Sequence, residues 1–155
     1  MERNIRVLPP EVLMEDYQKL LQEEGSVLPL VVTGSSMVPF LVGKRDSVYL
    51  SRFSGKAKKG DILLYKRDNG NYILHRVYKI EGKNLVMLGD SQQEPEFGIR
   101  PEQVIAIAVF AKRKGKIEKP GTFLWDFFEK IWIRTVPFRK IMIGGYSAVK
   151  RFFKH

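Results

Sequence analysis

The chain has no cysteine and only two histidines among its 155 residues. The first absence excludes disulfide scaffolds, thiolate nucleophiles and cysteine zinc sites. The second leaves no ordinary zinc triad, and no carboxylate cluster has magnesium-site spacing, so neither a metal nor another cofactor is expected. Phosphate loops and dinucleotide fingerprints are also missing, because Gly144-Gly145 stands alone and follows no convincing strand. Long apolar runs are absent as well. A spanning helix takes roughly eighteen or more apolar residues in a row, and the best stretch, near the carboxyl end, is interrupted by Lys130 and Arg134. The amino terminus soon reaches Glu15, Asp16, Glu23 and Glu24 without a basic flank and apolar run, so no secretory signal is visible. The expected location is cytoplasmic, with peripheral attachment at the inner face of the membrane left open.

Acidic residues are the scarcer charge: 17 against 27 Lys and Arg leave a net +10, which favours acidic partners such as anionic lipid or nucleic acid. Residues 121–155 hold Lys130, Arg134, Arg139, Lys140, Lys150, Arg151 and Lys154 against only Asp126 and Glu129, half of that excess. An apolar share of 44% and a charged share of 28% are those of a globular protein, and the length suits one domain.

Three segments follow from the patterning. Over residues 1–26, Pro10-Glu11 marks a first helical turn, and Val12, Leu13, Tyr17, Leu20 and Leu21 recur at helical spacing up to Gly25. Residues 27–120 carry short β-rich runs at 27–33, 47–53, 61–67, 72–80, 84–88 and 104–110, separated by glycine and charged turns, which predicts a compact, mainly β domain. Residues 121–155 form a basic, aromatic, helical tail broken by Pro137 and Gly144-Gly145. Two readings of that tail stand side by side: helices packed on the domain, or an interfacial element with Trp125, Phe128 and Trp132 in lipid and cations on head groups.

Asp68-Asn69-Gly70-Asn71 predicts a hairpin with Asn69-Gly70 as a type I′ loop. That register pairs Lys66 with Ile73, Leu64 with His75 and Ile62 with Val77, so His75 shares a face with Ile62, Leu64, Ile73 and Val77. An imidazole among such side chains is partly desolvated, which favours its neutral, proton-accepting form.

A second segment bears on chemistry. In Val31-Val32-Thr33-Gly34-Ser35-Ser36-Met37-Val38-Pro39-Phe40 a β run ends in small residues, a turn that can hold a hydroxyl at a strand end and aim N–H groups at one point. Gly-Ser-Ser is equally an ordinary turn. A serine nucleophile needs a base, and with His155 at the terminus His75 is the candidate; a core histidine bonded to a carbonyl is its structural alternative.

Gly34-Ser35-Ser36-Met37-Val38-Pro39, Gly60-Asp61-Ile62-Leu63-Leu64-Tyr65, Leu74-His75-Arg76-Val77 and Leu88-Gly89-Asp90 together resemble the ordered boxes of the signal peptidase I superfamily, grouped with the LexA-like peptidases. The match runs over roughly residues 31–109, and histidine in the third box is similar to the archaeal, endoplasmic-reticulum and sporulation-type branch. The resemblance implies a LexA- or signal-peptidase-like β domain, Ser36 as nucleophile, His75 as general base, and Asp90 near the place of an acidic residue that supports the histidine. Ser35 and Met37, flanking the nucleophile, are the expected oxyanion and substrate-binding positions, and Asp61 is expected to build a turn. The chain departs from the family pattern in having Gly34 where many members carry a hydroxyl, and in continuing Asp90-Ser91-Gln92-Gln93-Glu94-Pro95-Glu96, with Glu94 and Glu96 as substitute carboxylates.

The leading expectation is therefore a serine endopeptidase that cleaves a peptide or precursor protein with a Ser36–His75 dyad. The tail would contact an anionic membrane surface. The alternative is a non-catalytic binding module on the same scaffold, its tail contacting membrane or nucleic acid. A DNA-binding repressor is disfavoured because only one helix fits before Val27.

Overall fold

The computed structural model describes residues 14–139 and residue 141. Helix α1 (Met14–Leu21) buries Tyr17 and Leu21, four residues apart and hence on one face. The Tyr17 hydroxyl donates to the Leu28 carbonyl at 3.0 Å, which satisfies it inside the core. The helix start expected at Pro10 lies outside the described residues.

The strands are β1 (Leu28–Val31), β2 (Ser47–Arg52), β3 (Ile62–Lys66), β4 (Tyr72–Glu81), β5 (Asn84–Leu88), β6 (Glu96–Ile99), β7 (Val104–Arg113) and β8 (Lys116–Glu118). They form one antiparallel sheet in the order β1-β2-β7-β3-β4-β5-β6, with β8 added to β7. The protein is thus mainly β, with helices at its two ends. Six strands coincide with the predicted runs. β6 and β8 were not anticipated, since Glu96-Phe97-Gly98-Ile99 and Lys116-Ile117-Glu118 are too short to carry a readable alternation.

β3 is buried on both faces, and its alternation divides the interior in two. Ile62 and Leu64 join Val48, Leu50, Phe40 and Leu41 in one core, under α1 and the carboxyl-terminal helix. Leu63 and Tyr65 join Val77, Leu85, Met87 and Ile99 in the other.

The β3–β4 hairpin forms at the predicted place with a different register. Arg67 N–H donates to the Asn71 carbonyl at 2.8 Å and Gly70 N–H to the Arg67 carbonyl at 2.9 Å, so the loop is the three residues Asp68-Asn69-Gly70, with Gly70 at φ +92°. This is a turn closed by a left-handed glycine, not the two-residue loop. Lys66 pairs with Tyr72, Leu64 with Leu74, Leu63 with His75 and Ile62 with Arg76. The one-residue slip exchanges the faces: His75 lies with Leu63 and Tyr65, not with Ile62 and Leu64.

Helix α2 (Phe123–Lys130) is followed by a 3-10 segment, Trp132–Phe138. Trp125 and Phe128 pack on Phe40 with ring centroids 5.9 and 4.9 Å apart, and Trp132 packs on Phe128 at 5.6 Å. These three aromatics are core residues, which corrects the reading that placed them in lipid. They face inward because Phe40 and its neighbours offer them an apolar surface. Trp125→Ala should lower unfolding stability by about 3–5 kcal/mol in urea titration, whereas exposed Phe123→Ala should change it by less than about 0.5 kcal/mol.

Candidate active site

After β1 the chain turns sharply. Val32 N–H donates to the Asp46 carbonyl at 3.1 Å and Lys44 N–H to the Val32 carbonyl at 2.9 Å, which pins the two ends of the 33–43 loop together. Gly34 sits at φ +75°, and a Cβ at Gly43 would stand 2.6 Å from the Gly34 carbonyl oxygen, so the close approach needs glycine there. Inside the loop Val38 N–H donates to the Ser35 carbonyl and Leu41 N–H to the Met37 carbonyl. Met37, Phe40 and Leu41 are buried and anchor the turn, leaving Ser36 half-buried and Ser35 exposed. The N–H groups of Ser36 and Met37, and the Ser36 hydroxyl, have no hydrogen-bond partner among the described residues.

The loop after β5 lies directly against this turn. Ser91 N–H donates to the Ser36 carbonyl at 3.0 Å and the Ser91 hydroxyl to the Ser35 carbonyl at 2.9 Å. A Cβ on Gly89 would meet the Ser36 carbonyl oxygen at 2.5 Å. Arg76 pairs with Leu88 across β4 and β5, so Gly89 is level with His75 in the antiparallel register. The serine turn and the histidine strand thus share one neighbour. Among the described residues, no hydrogen bond joins the Ser36 hydroxyl to His75.

His75 is 3% exposed. Its Nδ1 stands 3.2 Å from the Tyr65 hydroxyl, which donates to Glu96 at 2.5 Å, and Glu96 accepts from Arg67 Nε at 2.8 Å. Tyrosine has one hydroxyl hydrogen, and the carboxylate takes it. The hydrogen-bond count therefore assigns the proton of the neutral ring to Nδ1, donating to Tyr65, and leaves Nε2 as the bare acceptor. Burial, aided by Arg67, pushes the His75 pKa down to about 4, while Glu96 and Asp90 pull the other way. The ring is neutral across ordinary pH. Burial and Glu96 both push the Tyr65 phenol up, so it stays protonated.

Asp90 is fully buried and bound two-pronged to Arg76, Nε to Oδ1 at 2.8 Å and Nη2 to Oδ2 at 2.9 Å, and Arg76 Nη1 donates to the Gly60 carbonyl. Its carboxylate acts on His75 through space, and the carboxylate linked to the ring is Glu96, through Tyr65. Glu94 is exposed. Asp61 accepts from Lys58 N–H at 2.8 Å and closes the turn into β3, as its sequence context suggested. Sequence reasoning gave no role to Tyr65 or Arg67, and reading Gly70 as the closing residue of the turn would have placed Tyr65 on the histidine face. Among the described residues no group of three or more His, Cys, Asp or Glu could hold a metal, and no helix is long and apolar enough to cross a membrane.

In comparisons with known proteins, the chain matches no family model and no curated protein.

Between pH 6.5 and about 4 the unfolded chain protonates this histidine and the folded one does not, so acid favours unfolding. The contribution is fully present above about pH 6.5 and is lost as pH falls toward 4, by about 3 kcal/mol at most. Urea midpoints of the wild type should drop more steeply over this window than those of His75→Gln; parallel curves would refute the buried neutral ring.

Proposed function

We propose that the protein is a serine endopeptidase in which Ser36 attacks a peptide carbonyl and His75 is the general base. The observation that carries this reading is the His75 ring, kept neutral by burial and bonded through Nδ1 to the Tyr65–Glu96 relay so that Nε2 is unprotonated, beside the strand end and loop that hold Ser36. The resemblance of four ordered sequence boxes to the signal peptidase I superfamily supports it independently.

In the first half-reaction Ser36 Oγ bonds to the carbonyl carbon and its proton passes to His75 Nε2. The imidazolium keeps its Nδ1–H on Tyr65, whose own proton lies against the Glu96 carboxylate, so positive charge on the ring is favoured when it forms. The unpartnered N–H groups of Ser36 and Met37 are the donors available to the developing oxyanion, and exposed Ser35 lies beside the incoming chain. The proton then moves from Nε2 to the leaving amine as the peptide bond breaks, and water releases the acyl chain with His75 again as base.

An extended peptide suits the substrate side. β1 pairs with β2 along one edge, and its other edge has no strand partner among the described residues. The strand leads into the Ser36 turn, so a peptide added to that edge runs toward the hydroxyl.

Labelling by a serine-directed fluorophosphonate and mass spectrometry of peptide mixtures provide the test. Ser36→Ala and His75→Ala should each lower turnover by at least about a thousandfold with circular dichroism unchanged. Undiminished cleavage by purified Ser36→Ala would overturn the reading. Tyr65→Phe should lower kcat by roughly ten- to a hundredfold with KM little changed, since it removes the group that orients the ring.

A further inference from the structure

The residues of α2 and the 3-10 segment sort into two sides. Trp125, Phe128, Glu129, Trp132 and Ile133 are buried at three- and four-residue intervals, and Arg139 is buried beyond them. The opposite side should be polar, and it is not. Phe123 is 79% exposed, Ile131 54%, Phe138 62% and Ile141 75%. They account for four of the eight large apolar side chains exposed among the described residues, within a short stretch of chain. Exposed Lys130 and Arg134 lie between them.

We infer that this outer side of residues 123–141 is a docking surface for an anionic lipid bilayer, which sets the Ser36 turn beside the membrane. Two observations favour lipid. Cations interleaved with aromatic and aliphatic residues on one helical side match a head-group and acyl-chain boundary. Ile131 and Ile141 add aliphatic area that suits acyl chains, whereas a nucleic acid would find a stacking face only on Phe123 and Phe138. The net charge of +10 adds long-range attraction to anionic lipid.

The inner side couples this surface to the candidate site. Trp132 Nε1–H donates to the Asp90 carbonyl at 2.8 Å, and Arg139 Nη1 donates to the Gly89 and Gln92 carbonyls at 3.0 Å each. The loop they grip also holds the carbonyls of Ser35 and Ser36 through Ser91. A bilayer under Phe123, Ile131 and Phe138 therefore has a fixed relation to the serine. The lipid surface stands independently of the peptidase reading; its corollary, that the peptide substrate is membrane-proximal, rests on that reading.

The test is co-sedimentation of the full chain, carrying Ser36→Ala so that no cleavage intervenes, with vesicles of phosphatidylcholine alone or mixed with phosphatidylglycerol. The mixed vesicles should retain the protein, with retention falling as salt rises, and phosphatidylcholine alone should retain it at least tenfold less. Combined Phe123→Ser, Ile131→Ser and Phe138→Ser should cut retention at least tenfold with the urea midpoint unchanged, because these side chains are exposed. Lys130→Gln with Arg134→Gln should reduce it severalfold. No retention on mixed vesicles, or undiminished retention of the triple variant, would overturn the inference. So would a dimer in light scattering that the triple variant dissolves while neither form sediments with lipid, since the occupant would then be a second copy of the chain. Fluorophosphonate labelling of wild-type Ser36 without lipid separates failure of this surface from failure of the peptidase reading.

Discussion

The buried ion pair between Arg76 and Asp90 is the junction on which the site depends. Both side chains are almost wholly removed from water, at 2% and 0% exposure, and their two-pronged geometry fastens the middle of β4 to the loop that follows β5. Arg76 also holds the Gly60 carbonyl and faces the Phe40 ring at 5.5 Å, while the Asp90 carbonyl takes the Trp132 indole N–H. One pair thereby ties together the entry to β3, the histidine strand, the serine-bearing turn's neighbour and the carboxyl-terminal segment. Removal of either partner would strand a charge in the interior at a cost of about 3–5 kcal/mol. This explains why Asp90 is unavailable as a direct partner of His75: both of its oxygens are engaged elsewhere.

The two-faced burial of β3 separates the tasks of the sheet. On the side of Ile62 and Leu64 the interior is built for packing, with Phe40, Trp125 and Phe128 closing it. On the side of Leu63 and Tyr65 the same dryness keeps His75 neutral, and the single polar path through Tyr65 to Glu96 and Arg67 satisfies Nδ1. A low-dielectric wall with one oriented hydrogen-bond chain is how a protein chooses a tautomer.

The carboxyl-terminal segment joins the domain core with one side and exposes apolar and basic groups on the other. Arg139 shows how closely it is integrated: buried at 1% exposure, it spends two donors on the carbonyls of Gly89 and Gln92 and stacks on Trp132 at 5.4 Å. Sequence composition alone made this segment look separable, because it concentrates half the net charge in less than a quarter of the chain.

The local alternation of apolar and polar residues determined most of the elements by itself, down to the limits of β5 at Asn84–Leu88, and the Asn69-Gly70 pair determined where β3 reverses into β4. Those features are legible because they depend on neighbours a few residues apart. Only the tertiary structure decided the hairpin register, since loops of two or three residues both suit that turn and a one-residue slip moves every side chain to the other face. Tyr65 reaches His75 for that reason alone. Likewise, residue type and order made Ser36, His75 and Asp90 candidates, but which carboxylate is linked to the histidine and which binds an arginine depends on contacts between strands far apart in the chain. Trp125, Phe128 and Trp132 were ambiguous for a related reason: a helix apolar on both sides does not say which side the core will take until the opposing surface, here Phe40 and its neighbours, is in place.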